Sequence, residues 1–373
     1  MIRTIVAIAA ILGSAGLMPP VTADDPVSSL VRYNREIVRI FERKCVACHT
    51  QNGIAVPLET YQQVRPWTRS IREEILERRM PPWPAVTGVR PLANEMSLTT
   101  REIAILTSWI DGGIPRGDAA DLPAQKPRET WPDGEPDLKL SLSAQNFPAD
   151  DRPYVRRVTV STRLSAERWL RGFDITPGER RALRSAFLFV KGKDGKQHWL
   201  GGWTPWHTMT HTPFDAGYHL PRGAVLTVEL HYKVFAESNT SVPESSTLGL
   251  YFHQRRPAAA IGDVVVIATP IKSADGRHRM RGETTLRDDV MIWALRPHVD
   301  RGSVEVKVVK PDGVVEPVLW IKENRPDLQL PYVLREPLPL IRGSRLVVTS
   351  YCADCETAST ANVVVLTLPP RLN

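Results

Sequence analysis

Cysteine is scarce in this 373-residue chain, with four residues in all, too few for a disulfide scaffold. Runs of like charge are missing as well. Lys and Arg outnumber Asp and Glu 48 to 41, yet no five like charges stand together, so the excess is not concentrated as a nucleic-acid groove requires. No apolar stretch reaches the ~20 residues of a spanning helix. Nothing resembles a Ser-His-Asp triad, a P-loop or a dinucleotide fingerprint. Between residues 24 and 118 there is only one histidine, His49. What is there is ordinary globular composition, 42% hydrophobic and 24% charged, which excludes a disordered or fibrous chain. The length suits two or three domains, and 32 prolines favour turns over long helices.

Residues 1–23 read as an address. Arg3 precedes an apolar stretch from Ile5 to Met18, and Val21-Thr22-Ala23 puts small residues before Asp24, the pattern of a cleaved signal peptide. The expectation is an exported protein, periplasmic in a bacterium, with no transmembrane segment after cleavage.

The texture then changes along the chain. Residues 24–118 read as helical. Asn34 can cap a helix with Ile37, Ile40, Phe41 and Cys45 on one face; Ile71, Ile75 and Leu76 suggest a helix ending at Arg79, before Met80-Pro81-Pro82; and Thr99 with Glu102 forms a capping box for a helix that stops at Gly112-Gly113. Residues 119–132 read as a linker. Beyond them strands dominate: Leu226, Val228, Leu230 and Tyr232 alternate with polar residues, as do Val304, Val306 and Val308, while Asp194-Gly195 and Pro311-Asp312-Gly313 read as hairpin turns. The expected architecture is multidomain: a small all-α domain at 24–118, then two consecutive antiparallel β-sandwiches of jelly-roll type at 133–255 and 256–373.

The chemistry centres on Cys45-Val46-Ala47-Cys48-His49. C-x-x-C-H is the attachment motif of c-type haem: two thiols bind the vinyl groups as thioethers and the histidine becomes the proximal iron ligand. Chance produces it in roughly one chain in a thousand of this composition. A disulfide or zinc pair would leave His49 without a role. With no second histidine in the segment, the soft candidates for the distal position are Met80 and Met96. Met80 is favoured because Pro81-Pro82 fixes the direction of its backbone. Trp67, Trp83 and Trp109 suit either haem packing or plain core. His207, His211 and His219 lie in a loop too rich in Gly and Pro to form a helical metal clamp, and read as solvated or packed. Cys352 and Cys355 lack a following histidine; a local disulfide is the first expectation for them, with a metal pair or reactive dithiol as alternatives.

From Cys45-Val46-Ala47-Cys48-His49 through Arg79-Met80-Pro81-Pro82-Trp83 to Trp109-Ile110-Asp111-Gly112-Gly113, the chain resembles the class I c-type cytochrome module of exported bacterial proteins. That resemblance implies His49 and Met80 as axial ligands. Later segments, Pro177-Gly178-Glu179-Arg180-Arg181, Leu220-Pro221-Arg222-Gly223, His231-Tyr232 and Arg296-Pro297-His298, resemble in order the copper type II, ascorbate-dependent monooxygenases typified by the peptidylglycine α-hydroxylating enzyme. His231 and His298 match two of that family's copper ligands. Arg184 and Ser185 stand where it has a His-His pair, Asp300 replaces another histidine, and no methionine follows Met291. An arginine at a ligand position opposes a bound cation. The expectation is therefore a mono-haem electron carrier exchanging electrons with a protein or small-molecule partner, its β region a scaffold for docking. The alternative is a haem-linked, copper-dependent oxidoreductase with a rebuilt site.

Overall fold

The computed structural model describes residues 29–124, 129–147, 152–233, 242–271, 278–299, 302–352 and 361–370. The signal-like segment, Asp300 and Cys355 lie outside these residues, as does the side chain of Cys352.

Strands hold 45% and helices 14%, and the longest helix among the described residues, Thr100–Asp111, has 12 residues. This overturns the expected class of an all-α domain followed by two β-sandwiches. The helices Val38–Lys44, Tyr61–Val64, Thr68–Leu76 and Thr100–Asp111 do share a small core built on Ile37, Phe41, Val64, Leu106 and Trp109. The chain between the third and fourth helices, however, leaves that core. Its Ala85 and Leu92 are buried in the core of an eight-stranded sheet, so the helical segment is not closed on itself.

That sheet runs, edge to edge, through Val315–Asn324, Gly302–Val309, Arg345–Cys352, His278–Thr285, Gly262–Ile271, Ala361–Leu368, Val290–His298 and Tyr332–Leu340. It is curled, and residues 84–94 lie along both of its edges. Val86 N–H donates to Trp320 O (2.7 Å) and Lys322 N–H to Pro84 O (3.1 Å) on one edge strand; Ala93 N–H donates to Val333 O (2.7 Å) and Arg335 N–H to Pro91 O (3.0 Å) on the other. The strap thus supplies partners to backbone groups that two sheet edges would otherwise expose.

A second layer holds a four-stranded sheet, in the order Pro153–Ser161, Val225–Lys233, Leu183–Lys191, Gln197–Trp203. Beside it lies a five-stranded sheet centred on Arg168–Thr176, and Gln145–Phe147 pairs with Val242–Glu244. The apolar core of these sheets takes in Met291, Trp293, Ala294, Val364 and Leu366 from the eight-stranded sheet. One core therefore crosses from the first β segment to the second, which two separate sandwiches would not do.

Local chemistry explains the elements near the motif. The capping box forms as its residues demand, with Glu102 N–H donating to Thr99 Oγ1 (3.1 Å) and Thr99 N–H to Glu102 Oε2 (2.9 Å). The third helix ends at Leu76, three residues earlier than the proline pair alone predicts. Arg78 takes a left-handed φ of 54°, and Arg79 and Met80 N–H both turn back onto Glu74 O (2.9 and 3.2 Å). Asn34 caps nothing; its amide donates to Gly117 O and Asp118 O (3.2 and 2.7 Å), tying the first helix to the chain after the last.

Candidate haem pocket

Cys45 and Cys48 close the turn after helix Val38–Lys44, where Cys48 and His49 N–H both donate to Cys45 O (3.1 and 3.0 Å). This compact turn sets both sulfurs and the imidazole against a cavity of about 260 Å³. Ile71 and Ile75 of the third helix form one apolar wall, and Met80 and Met96 bring two thioethers to the same space. Met96 is buried at 7% exposure, whereas Met80 is 40% exposed at the rim. Of the tryptophans singled out in the sequence, Trp67 lines the cavity. Trp109 is core, its indole N–H donating to Pro115 O (3.1 Å), and Trp83 packs on Tyr332 in the sheet core.

The donor set fits a c-type haem. Burial holds the His49 imidazole below its usual value, partly opposed by its hydrogen bond to Val56. The ring is therefore neutral, and because Val56 O can only accept (2.8 Å), Nδ1 carries the proton and Nε2 the lone pair. Burial pushes the Cys45 thiol up to about 12, the reverse of what a reactive dithiol needs. Two thiols, one oriented neutral imidazole and two thioethers around an apolar void are the groups that haem attachment and axial ligation use.

Three further lining residues come from the β region: Arg184, Trp206 and Leu328. Sequence reading missed them in this role, and no local signal marks them. Arg184 begins the strand Leu183–Lys191, at the position where the resemblance expects a copper-binding histidine. Its Nη2 donates to Lys233 O (2.7 Å). Trp206 donates its indole N–H to Asn94 O (3.2 Å) on the strap.

The two histidines matched to copper ligands stand elsewhere. His231 is buried and donates from Nε2 to Glu229 Oε1 (2.9 Å), while its Nδ1 has no hydrogen-bond partner among the described residues. Arg296 of strand Val290–His298 reaches the same carboxylate, and Arg157 reaches it from the neighbouring strand (2.9 Å). Although burial works to raise it, the hydrogen bond from His231 and the charge of Arg296 hold Glu229 well below the usual carboxylate range. The Arg296 guanidinium also stacks over Phe187 and Phe189. His298 ends its strand opposite Asn362, two residues beyond Arg296. Thus a buried ion network occupies the sheet interface at His231.

The remaining histidines do not converge. His207 is half-buried in a tight turn with Thr204, His211 contacts Arg171 and Thr210, and His219 meets Glu167 (3.1 Å). Among the described residues no three His, Cys, Asp or Glu side chains are grouped to hold a metal ion.

No protein-family model matches the chain, and no curated protein matches it. Among solved structures, the major capsid protein P2 of bacteriophage PM2 is 11% identical with a TM-score of 0.25, covering 62% of this chain and 97% of that one. The tandem CBM22 domains of Paenibacillus barcinonensis Xyn10C are 9% identical (TM-score 0.16; 62% and 98% covered). An oxalate decarboxylase of Bacillus subtilis is 8% identical (TM-score 0.15; 66% and 81% covered). At such TM-scores these likenesses carry neither fold nor function to this chain.

Proposed function

We propose that the protein is an exported electron carrier holding one covalent haem c. The observation that carries this reading is the convergence of Cys45, Cys48, the oriented imidazole of His49 and the thioether of Met80 on one apolar cavity. When bound, haem c supplies a one-electron couple. Cys45 and Cys48 hold it through thioether bonds, His49 presents Nε2 as the proximal ligand, and Met80 presents its sulfur from the rim. Ile71 and Ile75 keep water from the buried side. Methionine opposite histidine favours the reduced state more than a second histidine would, which suits a carrier. Its partner is a redox protein or a small-molecule donor or acceptor.

The deciding experiment is maturation of the full chain in a host with cytochrome c assembly. Haem should remain with the polypeptide on a denaturing gel, and Cys48→Ala should reduce or abolish that staining. An unmodified chain without covalent haem would refute the reading.

A further inference from the structure

A second cavity, of about 430 Å³, opens where the three larger sheets meet. It takes Lys191 from the end of strand Leu183–Lys191, His198 from strand Gln197–Trp203, Tyr218 from strand Ala216–Leu220 and Asp263 from the start of Gly262–Ile271. It shares no lining residue with the cavity of Cys45 and His49, which touches strand Leu183–Lys191 at the other end. Its size lies within the roughly 300–1,000 Å³ of small-molecule sites, and junctions between layers are where such sites form.

Most polar groups around it are engaged. The His198 ring meets Asp263 Oδ1 through Nδ1 (2.8 Å) and Asp194 Oδ1 through Nε2 (3.2 Å). The bond to Asp263 raises its pKa against the pull of burial, and the bond to Asp194 adds to it, which favours a ring with a proton for each carboxylate. Asp263 Oδ2 accepts from Trp199 N–H (3.1 Å), and His219 meets Glu167 (3.1 Å). A Cβ at Gly192 would stand 2.5 Å from His198 Nε2, so glycine lets the hairpin turn close on the imidazole. The chain Asp194, His198, Asp263 thus ties that turn to the eight-stranded sheet and sets the walls before any ligand arrives.

Tyr218 is the exception. It is 3% exposed, and its hydroxyl has no hydrogen-bond partner among the described residues. Burial, with the charge of Asp263 added, holds the phenol well above its usual value, so the group stays protonated and donates. A buried donor is costly until an acceptor meets it. Both oxygens of Asp263 are already in use, so the acceptor has to come by way of the cavity. Lys191 and Lys193 line the same space, exposed, and neither forms an ion pair among the described residues. Val190, Leu200, Pro221 and Ile261 give it an apolar wall.

We propose that this cavity binds a small organic acid. Its apolar body lies against Val190, Leu200, Pro221 and Ile261, an oxygen accepts from Tyr218, and its negative charge faces Lys191 and Lys193. A cationic ligand would meet the lysines as like charges, and a sugar would set its hydroxyls against the apolar wall. The site is independent of haem, because the two cavities have no residue in common.

The test titrates the full chain with octanoate and benzoate, and with octanamide and benzamide as uncharged counterparts. Binding is read by ligand-observed NMR and by the shift in melting temperature. At least one acid should bind, and bind tenfold or more tightly than its amide. Tyr218→Phe should leave the melting temperature of the ligand-free protein unchanged, since it deletes a hydroxyl that bonds to nothing, and should weaken acid binding about tenfold. The surface double variant Lys191→Gln/Lys193→Gln should fold as the wild type does and lose the preference for acid over amide. Failure of both acids to bind at millimolar concentration overturns the proposal, as does equal binding of acid and amide. Unchanged acid affinity in Tyr218→Phe, or a lower melting temperature of that variant without ligand, overturns it too: the first puts the acid elsewhere, and the second shows that water already accepts from the hydroxyl.

Discussion

Met80 and Met96 bring sulfur to the same cavity from opposite situations. Met96 is sealed in, and Met80 sits at the rim on a turn that the left-handed Arg78 and the Glu74 carbonyl define. A rim position on a fixed turn can swing a thioether inward without disturbing the core, so Met80→Ala should lower the midpoint potential and abolish the weak far-red sulfur-to-iron band. Retention of the band in a potentiometric and optical comparison would give the role to Met96. Glu229 offers a second residue-level test. It joins His231, Arg296 and Arg157, and the Arg296 guanidinium is buried with it. Glu229→Ala should cost about 3–5 kcal/mol in urea unfolding, because it strands a buried cation. A loss below ~1 kcal/mol would mean that water already shares the network.

At the level of elements, the strap 84–94 matters most, because it joins the helical segment to both edges of the eight-stranded sheet. Asn94 is its fixing point: buried, it donates to Pro331 O (2.7 Å) and accepts from Val333 N–H (3.1 Å). Asn94→Ala leaves two buried backbone groups unpaired and should cost about 1–3 kcal/mol. If the strap also holds Met80 in place, the same variant should weaken the far-red band at temperatures below unfolding. Thermal melts and optical spectra on one sample separate the two effects.

These elements also show what the sequence could disclose. The convergence of Cys45, Cys48 and His49 on one cavity is legible because the three residues are nearly contiguous. The alternation of Leu226, Val228, Leu230 and Tyr232 is equally readable, and all four are buried. The burial of Glu229 and His231 is hidden by that same pattern. Alternation implies one wet face, yet here the polar face packs against a second sheet and survives through ion pairing. The strap has no periodicity to read, since isolated bridges at Ala85 and Leu92 impose none. Arg184 gives no local signal of its place, which is set when the fold carries its strand to the cavity beside Cys48. The all-α expectation failed for a related reason: helical caps and faces are local, whereas the destination of residues 80–98 is set by partners more than 200 positions away.

Across the whole molecule, the helical segment, the strap and both sheet layers share buried surfaces, so protonation at one junction is felt as global stability. Asp174 lies at such a junction, in a cavity of about 110 Å³ that also touches Ala47 and Thr50, which flank Cys48 and His49. Burial raises its carboxyl from 3.8 to about 6, only partly offset by hydrogen bonds from Ile175 N–H (2.7 Å) and the Trp203 indole (2.8 Å). The folded state therefore holds this proton more tightly than the unfolded chain. The resulting stabilisation is complete below pH 3.8 and is lost as pH rises through about 6. His207 acts in the opposite sense. Burial lowers it from 6.5 to about 4, so its contribution is present above pH 6.5 and is lost as pH falls through about 4. Between about 4 and about 6 the two slopes oppose each other. Asp174→Asn keeps an oxygen to accept from Trp203 and removes the Asp174 slope, so urea midpoints should then rise more steeply with pH between about 4 and about 6 than in the wild type. An Asp174→Asn profile that tracks the wild type across that window would mean that Asp174 is ionised in the fold, its charge met by water or by Arg180.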